Sequence, residues 1–223
     1  MSTVLHVSPH PDDEALGAPA TLLLLRRAGW DVVNLVASLG RPGQHARRRD
    51  EALHGAGRAG FELVLPDERA LGDRIASLLR EREPSVVVSP WPHDGHPSHE
   101  AAASATADAL ASIPDPPVWW QWGLWTDLRS PTLYAPFDDD VLTDARHVLA
   151  AYSGELARND YLRLLEARAI AHAVLGGERV FGFGRARASS LPYAELLTEQ
   201  RCVDDEWCTT PSRILDPARP LSP

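Results

Sequence analysis

Cysteine is nearly absent: the 223 residues include only Cys202 and Cys208, both near the C-terminal end. Two thiols exclude a disulfide framework. The pair could bridge, but a lone pair in an intracellular chain reads as free. Positive charge is also short, with 22 Lys and Arg against 31 Asp and Glu and a net charge of −9. A polyanion requires positive potential, so nucleic acid is not an expected partner. No apolar run approaches the ~18 residues of a membrane span, and the longest, near Thr21–Leu25, is closed by Arg26 and Arg27. Stable membrane insertion is therefore not expected. No basic start leads into an apolar stretch and a small-residue cleavage site, which makes the cytoplasm the expected address. No strand-like run feeds a glycine-rich phosphate loop, which removes nucleotide binding.

What is present is an ordinary globular composition, 44% hydrophobic and 24% charged, in a length that suits one well-buried domain. Strand-like and helix-like periods alternate from the start. Thr3–Ser8 reads as a strand. Residues 13–28 read as a helix, with Leu16, Ala20, Leu23 and Leu24 on helical spacing and Gly29 just past its end. The pattern then repeats as strand 31–38 and helix 44–59, strand 61–65 and helix 70–83, strand 85–89 and helix 99–111. Connections this short give an α/β fold, a Rossmann-like, mostly parallel sheet flanked by helices in a single domain. The runs VVNLV and VVV suit strands buried on both faces. Beyond residue 111 the periods weaken, to strands over 118–124, 133–135 and 179–183 and helices over 139–152 and 155–174. Residues 1–208 form the domain, and the proline-rich 209–223 form a tail that wraps the surface or is loose.

Ligands of such sheets bind beyond the carboxyl ends of the strands. Ser8-Pro9-His10-Pro11-Asp12-Asp13-Glu14 follows the first strand and Trp91–His99 follows the fourth, so both loops fall on one rim. Proline on each side of His10 stiffens the first loop. Three adjacent carboxylates repel one another unless a cation joins them. Zinc accepts imidazole nitrogen and carboxylate oxygen, and its catalytic sites keep one position open. A carboxylate beside the metal can then take a proton from water. The plainer reading is an N-cap, with Asp12 or Asp13 capping the next helix and Glu14 at its positive end; the two are compatible. In the second loop His93, Asp94, His96, His99 and Glu100 crowd together, with Pro97 suited to a first helical turn. His96 and His99, three apart, can face one cavity; chance clustering on the surface is the alternative. His45, His54, His147 and His172 lack such company and read as surface or core.

Taken together, the two segments resemble the LmbE-like, or PIG-L, family of zinc-dependent N-acetylglucosaminyl deacetylases. SPHPDDEALG is similar to that family's His-Pro-Asp-Asp-Glu element, and DGHPSH to its later His-Pro-Asp-His, with Ser98 in place of the aspartate. Arg47-Arg48-Arg49-Asp50-Glu51-Ala52 resembles its R-x-x-E helix, the three arginines leaving the register open by a residue, and Leu65-Pro66-Asp67 its loop aspartate. The resemblance covers about residues 3–111. It implies that His10, Asp13 and His99 ligate Zn2+, that Asp12 is the general base, and that His96 stabilises the oxyanion or protonates the leaving amine. Arg48, Asp67 and Asp94 are implied at the substrate, Asp94 standing where some relatives carry a tyrosine. Ser98 is not expected to be a ligand.

The resemblance implies a small-molecule amino-sugar glycoside as partner. Family members act on glycosylated thiol precursors, glycolipids and antibiotic aminosugars. The segments GELARNDYLRLLEARA and GGERVFGFG are similar to those of deacetylases of antibiotic glycosides, including glycopeptide pseudoaglycones. The expected activity is removal of an acetyl group from such a sugar in antibiotic biosynthesis, with a mycothiol- or bacillithiol-type precursor as alternative. The four tryptophans of Val118–Trp125 read as core or as an aromatic platform, and Arg41–Arg49 as a solvated face or an anion anchor. A homo-oligomer is compatible with the sequence. The rival from another class is a binding protein with a closed, four-ligand structural metal.

Overall fold

The computed structural model describes residues 2–204 and 206–221. Strands β1 (Thr3–Ser8), β2 (Asp31–Val36), β3 (Glu62–Val64), β4 (Val86–Pro90) and β5 (Val118–Trp122) run parallel in the order β3-β2-β1-β4-β5. Helices α1 (Pro19–Arg27), α2 (His45–Ala59), α3 (Leu71–Arg82) and α4 (Pro97–Ala111) connect them. Successive side chains of a strand point to opposite faces, and both faces here are covered. Val4 and Val86 pack with Leu22 and Leu25 of α1, while Leu5 and Val87 pack with Ile75 and Leu79 of α3. That two-sided burial explains why these strands read as continuous apolar runs.

The second half closes the sheet differently. Helices α5 (Asp139–Leu149), α6 (Ser153–Leu156) and α7 (Tyr161–Phe181) accompany strands β6 (Leu133–Phe137), β7 (Tyr193–Val203), β8 (Glu206–Thr209) and β9 (Arg213–Ile214). β7 lies antiparallel between β5 and β6, and β9 pairs with β6, giving a mixed sheet. The α/β, single-domain reading stands.

Several expected boundaries change. The single helix over 13–28 is a 3-10 turn at Asp13–Ala15 followed by α1 from Pro19. The interruption falls at Gly17, where an added Cβ would lie 2.5 Å from the Trp122 ring. The expected strand over 179–183 is the last turn of α7, ended by Gly182 at φ 101. The helix expected over 155–174 is divided: Asp160 Oδ1 accepts from Arg163 N at 3.1 Å and starts α7 anew. Residues 213–214, placed in the tail, join the sheet, and Leu215 is buried. Cys202 and Cys208 are both free thiols. No helix among the described residues is long and apolar enough to cross a membrane.

Candidate metal centre

β1 and β4 are hydrogen-bonded neighbours, with His6 opposite Val88, so the loops leaving their carboxyl ends start side by side. Asp13 Oδ2 accepts from His10 N at 2.7 Å and lies 3.2 Å from His10 Nδ1, which folds the first loop back on itself. Asp13 Oδ1 lies 3.4 Å from His99 Nε2, across from the second loop. One donor atom from each of His10, Asp13 and His99 lies within 4.8 Å of the others. Asp13 and His99 are buried while His10 is half-exposed, so the cluster is walled on one side and open on the other.

The electrostatics favour a cation here. Burial would raise Asp13, but hydrogen bonds from His10 and His99 hold it well below the usual carboxylate range. Burial would lower His99, yet its bonds to Asp13 and Asp94 push it up to about 9. Asp13 is thereby ionised, and the positive charge that His99 retains beside it stands where a divalent ion would sit. Two imidazoles and one carboxylate are also a donor set that zinc accepts with a position to spare.

The capping reading of the first loop fails. Neither Asp12 nor any other side chain caps the turn, and Asp13 is turned to the histidines. Glu14 points the other way. It is buried, accepts a short hydrogen bond from the Tyr152 hydroxyl, and is pushed up to about 8 by burial. Its carboxyl is a neutral strut between the loop and the residues that follow α5.

The cluster floors a cavity of about 140 Å³ lined also by Asp12, Arg48, His96, Trp125, Glu155 and Tyr161. Burial, with the Asp13 and Glu155 charges beside it, raises Asp12 to about 7, while Arg48 works against that from 3.5 Å. His96 Nδ1 accepts from Ser98 N at 3.3 Å at the start of α4. A neutral ring that accepts at Nδ1 carries its proton on Nε2. Burial and the neighbouring His99 and His10 lower its pKa and favour that neutral form.

Other expected site residues are sorted by the structure. Arg48 is the inward member of its arginine run, bridging Asp12 and, at 3.2 Å, Glu155. Three residues on, Glu51 accepts from Gly154 N at 2.8 Å and Ser153 Oγ at 3.1 Å, anchoring α6 and with it Glu155. Asp67 is not brought into the cavity; it is exposed and held by Arg69 and Arg74. Asp94 does not reach the substrate side either. It is fully buried, with Oδ2 2.7 Å from His99 Nδ1 and Oδ1 accepting from the backbone N–H of Leu124, Trp125 and Thr126. It thereby fixes His99 with Nε2 toward Asp13, as carboxylates commonly orient metal-bound imidazoles. Trp119, Trp120 and Trp122 are core, and only Trp125 reaches the cavity, 54% exposed and stacked on His96 at 5.5 Å.

Glu155, Arg158 and Tyr161 line the cavity from the second half and carried no signal as site residues in the sequence. Asp94 was expected at the substrate, and its place behind His99 emerges only from the structure.

Known proteins resemble this chain in sequence over its first half and in fold over most of its length. The PIG-L family, described as GlcNAc-PI de-N-acetylase, matches residues 5–110. The diacetylchitobiose deacetylase of Thermococcus kodakarensis is 30% identical over 130 residues, covering 48% of this chain and 49% of that protein. The chain thus aligns with about half of that relative's length. Among solved structures, the A40926 pseudoaglycone deacetylase superposes with a TM-score of 0.68 at 20% identity, over 94% of this chain and 98% of that one. The 4-carboxy-2-hydroxymuconate hydratase of Pseudomonas putida also gives 0.68, at 19% identity, over 89% and 96%. These likenesses establish the fold, which hosts more than one reaction. Residues 5–110, which hold both candidate metal-site motifs, are thus similar to the PIG-L family.

Proposed function

We propose that this chain is a zinc-dependent N-deacetylase of an N-acetylglucosamine-type sugar. The carrying observation is that His10, Asp13 and His99 converge in an open cavity that Asp12 and His96 also line. Among the described residues the cluster has three members rather than the four of a closed structural site. A hydratase shares the fold, so the reaction is set by the site rather than by the fold.

His10, Asp13 and His99 would hold the ion, which when bound supplies Lewis acidity and a nucleophile at neutral pH. Asp12, raised to about 7, is matched to accept the proton of the attacking water at that pH. Arg48, on the far side of Asp12, keeps that carboxylate oriented and offsets its charge. His96 donates from Nε2 to the oxygen of the tetrahedral intermediate. Asp94 holds His99 in the tautomer the site needs.

A cavity of about 140 Å³ has room for an acetamido group and part of a ring, so the rest of a glycoside lies outside it. Trp125 on one wall offers an apolar face to what protrudes, and Arg158 a cation on the other. This supports a small glycoside with a bulky aglycone. The glycopeptide pseudoaglycone type, from antibiotic biosynthesis, is favoured by the likeness of the late segments and by the A40926 deacetylase as a fold neighbour.

Zinc-loaded protein incubated with N-acetylglucosaminyl glycosides (a disaccharide, a glycopeptide pseudoaglycone, a thiol-precursor glucosaminide) should release acetate, followed by mass spectrometry. Asp12→Asn should keep zinc and lose about 10²–10⁴ in kcat. Undiminished turnover of Asp12→Asn removes that residue from its role, and hydration of an unsaturated acid without acetate release overturns the deacetylase reading.

A further inference from the structure

Helix α7 is apolar on both sides. Its inner side, Leu165, Ala169, Ala173, Gly176 and Val180, is buried, and Gly176 sits where a Cβ would lie 2.5 Å from the Tyr134 ring. The outer side of a surface helix is ordinarily polar. Here it exposes Leu164 at 36%, Ile170 at 44%, Val174 at 70% and Leu175 at 52%. Leu164, Ala167, Ala171 and Val174 follow the 3-4-3 spacing of a helix-packing seam. Arg163 and Glu178 bracket it, and neither side chain has an ion pair with another described residue.

We propose that this face is the two-fold interface of a homodimer, with α7 packed antiparallel on α7 of a second copy. A two-fold contact must be self-complementary, and the charges here meet that condition. A two-fold axis between Ile170 and Ala171 sets Arg163 of one copy beside Glu178 of the other, twice. The same axis puts Ala167 opposite Val174 and Ile170 opposite Ala171, small against large. A lipid-binding helix would instead be flanked by several Lys and Arg, whereas the exposed charges of this one are Arg163 and Glu178, one of each sign at equal distances from the proposed axis. A single helix pair is smaller than the ~800 Å² per partner of a standard interface, so the dissociation constant is expected on the order of micromolar.

Sedimentation equilibrium of the full chain over about 1–100 µM should give twice the 24.4 kDa monomer mass at the upper end. Val174→Glu should be monomeric throughout with an unchanged circular dichroism spectrum. Arg163→Glu and Glu178→Arg should each weaken the dimer about tenfold, and the double charge exchange should restore it to within about threefold. A wild-type monomer at every concentration overturns the proposal. So does an oligomer indifferent to Val174→Glu, or a double exchange weaker than either single variant. The rescue arm stands even where Val174→Glu perturbs the fold.

Discussion

The two halves of this chain hold the same cavity in different ways. In the first, parallel strands deliver two short loops to one rim, and the proposed ligating groups of the first loop sit within a few residues of a strand end. In the second, α6, α7 and β7 supply few of the chemical groups and most of the restraint. Glu195 of β7 accepts from Ala20 N, Thr21 N and Thr21 Oγ1, at 2.8, 2.8 and 2.7 Å, capping α1 from across the sheet. Arg168 of α7 donates to Leu16 O at 3.1 Å and to Gly123 O, tying the first loop to the turn after β5. Chemistry is concentrated locally and positioning is distributed. Variants can break that division or sharpen it.

The largest effect is expected in the first half. His99→Ala removes a proposed ligand and the contact to Asp94, and should abolish stoichiometric zinc binding, measured by metal analysis, together with acetate release. Next comes the junction of the halves. Asp94→Asn leaves the Leu124–Thr126 amides an acceptor but weakens the hold on His99 Nδ1, and should cost about 10–100-fold in zinc affinity or activity. An unchanged affinity would mean that the coordinating histidine needs no such partner. In the second half the effects should appear as stability. Glu195→Ala leaves the first turn of α1 uncapped and should cost about 1–3 kcal/mol in denaturant unfolding, with zinc bound as before.

The smallest effect is a pH dependence. Burial, reinforced by Arg168 and Arg179, lowers His172 to about 3 in the folded chain, against 6.5 for the free side chain. The unfolded chain therefore takes up this proton first as pH falls. The contribution is complete above pH 6.5 and is lost progressively below it, toward the folded value. His172→Gln should make stability fall less steeply between pH 7 and 5 than it does in the wild type. Parallel slopes would show that the ring is not neutral in the fold.

The same division governs what the sequence discloses. Strands β1, β2 and β4 are buried on both faces and announce themselves as apolar runs, and His10, Asp13 and His99 stand out because histidines and carboxylates cluster just past strand ends. β7 escapes notice because Glu195 and Glu199 occupy buried positions, one capping α1 and the other accepting from Trp120 Nε1 at 2.8 Å. Buried carboxylates break an apolar pattern unless their partners are known. The 179–183 segment has strand-like composition, yet packing against β7 and its neighbours draws Val180 into the last turn of a helix. Glu155 and Tyr161 reach the cavity only through the anchoring of α6 by Glu51 and the new start of α7, contacts no local pattern contains.

Diffraction from zinc-loaded crystals at the zinc absorption edge addresses the central claim most directly. One anomalous peak per chain is expected, at about 2.0–2.2 Å from a nitrogen of residues His10 and His99 and a carboxylate oxygen of Asp13. A peak at another set of side chains, or a fourth protein ligand closing the site, would contradict the account.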